Sequence, residues 1–338
     1  MVVRDPDLLH QALRHGRPVG LRRPSGRRGR GGRGVLSAPV VGVGIATLDY
    51  VCLAPELPAP DRKAPIERFT IQGGGPVATA MVTLQRLGIP TAIHAAVGDD
   101  SLGQYIGGDL RREGVDTSGM RFEPGSDSSF AFILVEQATG RRSISYYTRG
   151  VSPLTPEEID PARVHGASVL HVDGHAPDAQ IHAAALAREK GVPVVYDAGS
   201  VQPRCNELVA LTDYLVTSEH FPTEYTGLRK LPKAIDRLIE HGPKTVVVTL
   251  AEQGCRLATT SGQEDVPADP VTSLVDTTGA GDVFHGAFIY GILKQWDLRR
   301  TCQFANLVAG ISCQTLGGRA GIPTIAQVEK IMIQKSTG

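Results

Sequence analysis

The densest chemistry in the sequence lies in one run, Asp276-Thr277-Thr278-Gly279-Ala280-Gly281-Asp282-Val283-Phe284-His285-Gly286-Ala287-Phe288. Gly279, Ala280 and Gly281 carry almost no side chain, so the backbone there can approach a ligand closely. The apolar, glycine-punctuated stretch that follows predicts a buried helix with this loop at its N-terminus. Unpaired N–H groups and the helix dipole at such an end attract anions, phosphate among them. An aspartate in the same turn repels the anion that the amides attract, which serves stability poorly. It makes sense as a base: Asp282 is read as taking the proton of a hydroxyl that attacks a bound phosphoryl group. The plainer alternative, a Gly-rich turn with a capping Asp, is not preferred. His285, one turn past the base, is read as a packing residue.

A second glycine-rich stretch, Gly73-Gly74-Gly75-Pro76, opens a helical pattern that ends at Leu87-Gly88. Glycines ahead of a helix let backbone amides meet a ligand at short range, although alone such a loop is also a common turn. Asp49 follows the first apolar run, where an ordinary turn aspartate is the bland reading. Gly42-Val43-Gly44 imitates the start of a dinucleotide fingerprint, but Thr47 stands where the third glycine belongs. No G-x-x-x-x-G-K-[ST] occurs, so no P-loop is present to hold a nucleotide. The five cysteines form no C-x-x-C pair and are read as core thiols of a reducing compartment. The ten histidines show no zinc spacing.

The segment from Asp276 to Phe288 resembles the second signature of the ribokinase-like (PfkB) carbohydrate kinases, and the Gly-Gly loop resembles their first. The resemblance extends over roughly residues 39–330. It implies Gly279, Ala280 and Gly281 as the anion hole and Asp282 as the general base. It implies sugar contacts from Asp49, Gly74, Gly75 and Thr79, the last standing where many relatives have Asn. For the nucleotide it implies Thr249 and Gly254, in a strand and turn that border ATP, and Asn306 in a helix beside the adenine. The family's Asn-x-x-Glu motif, which helps place Mg²⁺, falls near Ser218 and Glu219 and is not intact; Ser218 as a plain helix cap is the competing reading. Asp276 and Thr278 resemble ligands of a monovalent cation, completed by carbonyls of the loop around Gly318, and oxygen-only ligation suits K⁺. ATP, Mg²⁺ and K⁺ are thus the expected cofactors.

Within the family the wording is most similar to the sulfofructose kinase branch. A buried sulfonate needs fixed cations, for which Lys63, Arg142 and Arg149 are candidates, whereas Asp173 puts an acid where an anionic substrate would come close. The expected function is ATP-dependent phosphorylation of a hexose or related ketose. A nucleoside kinase of the same fold and a non-catalytic sugar sensor are the rival readings.

The elements that must hold these residues follow from composition and period. The chain has 338 residues, 41% hydrophobic and 21% charged, enough for a substantial core. Residues 1–37 hold nine Arg against two Asp and few apolar groups, which predicts a disordered Arg/Gly-rich tail. The rest, 26 basic against 33 acidic residues, is mildly acidic and argues against nucleic acid as a partner. No apolar run reaches the length of a membrane span, so the expected setting is cytoplasmic. From residue 38 onward, apolar runs at 40–45, 91–97, 167–172, 192–196, 213–217 and 244–250 read as strands. Helical periods at 76–87, 100–113, 178–190 and 231–240 alternate with them, predicting a three-layer α/β/α domain with a mainly parallel sheet. Segments 48–71 and 127–148 lack helical period and read as a small second sheet, a lid, with a hairpin turning at 137–140. A homodimer through this lid sheet is the expected assembly.

Overall fold

The computed structural model describes residues 38–337; the predicted tail lies outside them. The strands are β1 (Val40–Val43), β2 (Thr47–Ala54), β3 (Arg68–Gly74), β4 (Thr91–His94), β5 (Ala96–Gly98), β6 (Arg121–Glu123), β7 (Phe130–Glu136), β8 (Arg142–Tyr147), β9 (Val169–Val172), β10 (Val194–Ala198), β11 (Tyr214–Thr217), β12 (Thr245–Thr249), β13 (Cys255–Thr259) and β14 (Gly262–Val266). The helices are α1 (Pro76–Arg86), α2 (Ser101–Arg112), α3 (Pro161–His165), α4 (Pro177–Glu189), α5 (Cys205–Ala210), α6 (Phe221–Thr226), α7 (Leu231–Glu240), α8 (Ala280–Leu293), α9 (Leu298–Ser312) and α10 (Ile325–Thr337).

The main sheet has the order β14-β13-β12-β11-β10-β9-β1-β4. Pairing is parallel from β4 to β12, and β13 and β14 close one edge antiparallel. The parallel strands are apolar on both faces because helices cover both. Val40, Val169, Val195, Val216 and Val247 face a core with α1, α8 and α9, while their neighbours Val41, Leu170, Val194, Leu215 and Val246 face one with α4 and α7. Helix α8 is buried nearly all round, and Gly286 lets it lie directly on α1: a Cβ there would sit 2.7 Å from Ala80 O.

A second sheet, β3-β2-β7-β8, stands outside the three layers, built from the two segments that lacked helical period. Its inner face, with Val51, Leu53, Ala131, Ile133 and Val135, packs on Leu316 and Val275. Its outer face is aromatic: Tyr50 stacks on Phe69 and Phe132, and Phe130 on Tyr147. One predicted strand divides. The run 91–97 gives β4 to the main sheet and β5 to a small parallel pair with β6, because the chain leaves the main sheet at Ala95, which nothing in its apolar composition marks.

Candidate active site

The candidate residues gather at the C-terminal ends of the parallel strands, beside the gap where β1 meets β9 and strand order changes direction. Open α/β sheets hold their ligands at such a point, since the strand-to-helix loops diverge there. Helix α8 brings the anion loop. Gly279 is its N-cap at φ 70°, and a Cβ there would lie 2.9 Å from the Gly318 Cα, so two glycine backbones touch. Ala280 N–H donates to Thr277 O and Val283 N–H to Gly279 O, which leaves the N–H groups of Gly281 and Asp282 without a protein acceptor among the described residues. A Cβ on Gly281 would meet only open space. These amides and the carboxylate of Asp282 therefore share one turn facing the cleft.

Asp282 is half-buried. Its carboxyl is held above the usual carboxylate range, first by burial in the turn and next by the charge of Asp197; Asp49 adds to the rise, while His285 and Arg142 oppose it. A carboxyl so placed is a stronger proton acceptor when ionised than an exposed one, as a general base requires.

Asp49 stands on β2, with Oδ1 accepting from Thr47 Oγ1 at 3.0 Å. Gly74 on β3 lies directly beneath it, and a Cβ at Gly74 would fall 2.2 Å from Asp49 Oδ2. Gly75, at φ 91°, turns the chain into α1. Thr79 is buried on that helix, and its hydroxyl accepts from Arg319 Nε at 3.2 Å. Arg319 is only 3% exposed; it also donates to Gly74 O at 2.7 Å and to Asp109 Oδ2 at 3.0 Å. Thr79, expected from the family resemblance to stand in for an Asn, is thus tied to a buried guanidinium. Sequence reasoning missed Arg319, because the loop holding it was read only for its backbone carbonyls.

Asp276 fastens that same loop. Its Oδ1 accepts from Thr278 N–H at 2.8 Å and its Oδ2 from Gly317 N–H at 2.7 Å. Thr278 Oγ1 is buried without a hydrogen-bond partner among the described residues. Gly279 and Gly318 bring these groups within one backbone thickness of the anion loop.

Among the residues expected near the nucleotide, Ser218 Oγ donates to Gly199 O at 2.9 Å and Thr249 Oγ1 to Thr217 O at 3.1 Å, so the ends of β11 and β12 lie side by side. Helix α6 starts after His220 without a side-chain cap, so Ser218 does not cap it. Glu219 is exposed. Asn306 Nδ2 donates to Val266 O at 3.1 Å, and Gly254, at φ 94°, passes so near that a Cβ would be 2.3 Å from the same oxygen. Thr249, Gly254 and Asn306 thereby enclose one corner.

Of the three cations singled out for a sulfonate, Arg142 alone joins this assembly, donating to Thr277 Oγ1. Lys63 and Arg149 are exposed and form no hydrogen bond or ion pair among the described residues. The acid at Asp173 is engaged within the protein: it accepts from Ile45 N–H, His175 N–H and Gln180 Nε2 at 2.8, 3.1 and 2.9 Å. Its oxygens are committed to positioning β1 and α4.

Residues 37–325 match the family described as pfkB family carbohydrate kinase. The ribokinase of Staphylococcus aureus is 28% identical over 268 residues, covering 77% of this chain and 88% of that protein. Fructokinase-1 of Oryza sativa subsp. japonica is 28% identical over 290 residues, covering 78% and 89%. The structure of Arabidopsis thaliana ribokinase complexed with ribose and ATP superposes with a TM-score of 0.76 at 25% identity, over 88% of this chain and 99% of that one. With this fold, and a family match spanning nearly all the described residues, the chain belongs to the PfkB family of carbohydrate kinases.

Proposed function

We propose that this protein transfers the γ-phosphoryl group of ATP to a hydroxyl of a hexose or related ketose, with Asp282 as the general base. The observation that carries the reading is the single turn of α8 that offers both unsatisfied N–H groups and a carboxylate to the cleft. The amides would bind the phosphoryl oxygens, and Asp282 would accept the hydroxyl proton as the new bond to phosphorus forms. Asp49 and the amides of Gly74 and Gly75 would hold sugar hydroxyls; Thr79 would act through Arg319 rather than by direct contact. The sheet of β2, β3, β7 and β8 is the lid.

Thr249, Gly254 and Asn306 would border the nucleotide. Mg²⁺ would neutralise its phosphates, with Glu219 the exposed carboxylate past β11 available to it. A monovalent cation fits beside the anion loop because Thr278 Oγ1 is a buried oxygen lacking a partner next to the Asp276 carboxylate. Those oxygens and the Gly318 carbonyl would hold K⁺, whose charge would favour phosphate nearby. Arg142 supports a substrate bearing an anionic group such as a sulfonate. The aromatic outer face of the lid, with Phe132 55% exposed, supports a homodimer through that sheet. ATP turnover measured against fructose, 6-deoxy-6-sulfofructose, ribose and adenosine tests the reading. A ketose should give the highest kcat/KM, and turnover of adenosine alone would replace the sugar with a nucleoside.

A further inference from the structure

Three buried ionisable groups lie beneath Asp282 and take no part in the chemistry described so far. His285, expected from sequence to be packing, is on α8 one turn after the base. Its Nδ1 is 2.6 Å from Gly281 O and 3.4 Å from Asp197 Oδ2, and its Nε2 is 3.3 Å from Val216 O. Every polar neighbour of this ring is an acceptor. Asp197, on β10, is buried as well, and its like charge acts on Asp282. His171, on β9, lies beside His285 with ring centroids 5.8 Å apart and the rings tilted; its Nδ1 faces Val195 O at 3.2 Å, and burial holds it neutral, its pKa lowered to about 3.

Two carboxylates and one imidazole in a buried cluster cannot all titrate independently. Asp197 ionised next to ionised Asp282 is a like-charge pair with little water to screen it. A proton kept on the Asp197–His285 pair removes that repulsion, whether it sits as carboxylic acid beside neutral imidazole or as carboxylate beside imidazolium; both arrangements have zero net charge. Acceptors face both ring nitrogens of His285, and a neutral imidazole can donate from only one of them, so the geometry favours the second arrangement, against the burial of the ring. The other charges facing the cluster are Asp49 and Arg142 toward Asp282, and Asp173 and His175 toward Asp197. The first pair opposes itself in sign. Asp173 raises the proton affinity of Asp197 further, against His175.

We propose that Asp197 and His285 form a proton-holding pair beneath Asp282, neutral as a unit at physiological pH, that keeps the base ionised and ready. The inference rests on Asp282 being the base. During turnover the substrate proton goes to Asp282 and leaves to solvent, while the proton of the pair stays in place. His285 and Asp197 are positioning residues, acting on the reaction only through the charge that Asp282 feels.

The pH dependence of kcat/KM tests this, with ATP and whichever of fructose or ribose the wild type uses faster. His285→Asn leaves Asp197 and Asp282 to compete for one proton, so the acid limb should move up by about one pH unit or more. Activity lost at neutral pH should return at alkaline pH. Asp197→Asn in the His285→Asn background removes the competitor and should bring the limb back. His285→Gln, expected to give the same shift, serves if His285→Asn does not fold. An unmoved limb with uniformly lower kcat/KM, or a double variant whose limb stays high, would overturn the pair. Substantial activity in Asp282→Asn would instead remove the base assignment, so the two failures are distinguishable.

Discussion

Arg142 Nη1 donates to Thr277 Oγ1 at 2.6 Å, joining the β7–β8 hairpin to the loop ahead of α8 across 135 residues of sequence. Thr277 Oγ1 also reaches Gly140 O at 3.4 Å, and Leu274 packs beneath Gly140, so the turn of the hairpin rests on the same loop. The contact sets a cation at the edge of the cleft, where its charge opposes the raised proton affinity of Asp282.

Arg142→Ala should therefore lower kcat about tenfold. That is less than the 10²–10³ typical of an anion-site donor, because water screens this exposed side chain. The melting temperature should hardly change, since one exposed hydrogen bond contributes little. Steady-state kinetics with a thermal melt checks both parts. A kcat within twofold of wild type would make the contact incidental.

Gly74→Ala tests the packing of the Gly-Gly loop against Asp49. The added methyl would fall 2.2 Å from Asp49 Oδ2, and the Arg319 bond to Gly74 O resists a shift of the loop. The sugar KM should rise at least tenfold, equivalent to about 1.4 kcal/mol, while the ATP KM stays within twofold. Equal rises in both would show that the loop serves the whole cleft.

Much of this architecture is legible in the sequence because its signals are local. Buried parallel strands read as apolar runs, and the helix after Asp282 announces itself by glycines and aromatics over one buried stretch. The antiparallel edge of β13 and β14 was not foreseen, since Gly262–Val266 is mostly polar and exposed. Arg319 was illegible for another reason. Its partners Gly74, Thr79 and Asp109 lie more than 200 residues away, and only the folded chain brings that guanidinium under the Gly-Gly loop. The same holds for Asp197 and His285, which belong to different elements and meet below the base.

Arg319→Met should be strongly destabilising. Methionine preserves much of the volume but leaves Asp109 with Arg112 alone and Gly74 O without its Arg319 donor, and each such buried loss costs about 1–3 kcal/mol. The melting temperature should fall by several degrees or more. Asp109→Asn in the same background should recover part of the loss; no recovery would show that the ion pair is not what holds the loop.

Replacing K⁺ by tetramethylammonium at constant ionic strength should lower turnover, because the larger cation cannot enter between Thr278 Oγ1 and the Gly318 loop. Thr278→Val removes the unpartnered oxygen and should reduce the K⁺ response. A flat response in the wild type would remove the cation and leave the phosphoryl-transfer reading untouched.

Asp282→Asn should abolish transfer while sparing the fold. A sugar hydroxyl is a poor nucleophile until a positioned base accepts its proton as the bond to phosphorus forms. Asparagine keeps the shape and can hydrogen-bond, but it cannot take that proton. The carboxyl is already pushed toward its protonated form, first of all by burial, so the neutral side chain should not lower the melting temperature. General-base catalysis contributes about 10²–10⁴-fold, and kcat should fall by at least that range with little change in the ATP KM. The pH profile gives a second reading. Because the proton affinity of Asp282 is raised, wild-type kcat/KM should decline toward acid from a higher pH than an ordinary aspartate would give, as the base becomes protonated. The residual rate of Asp282→Asn should show no such limb. A variant retaining more than about a tenth of wild-type kcat, or the same acid limb, would mean that another group takes the proton.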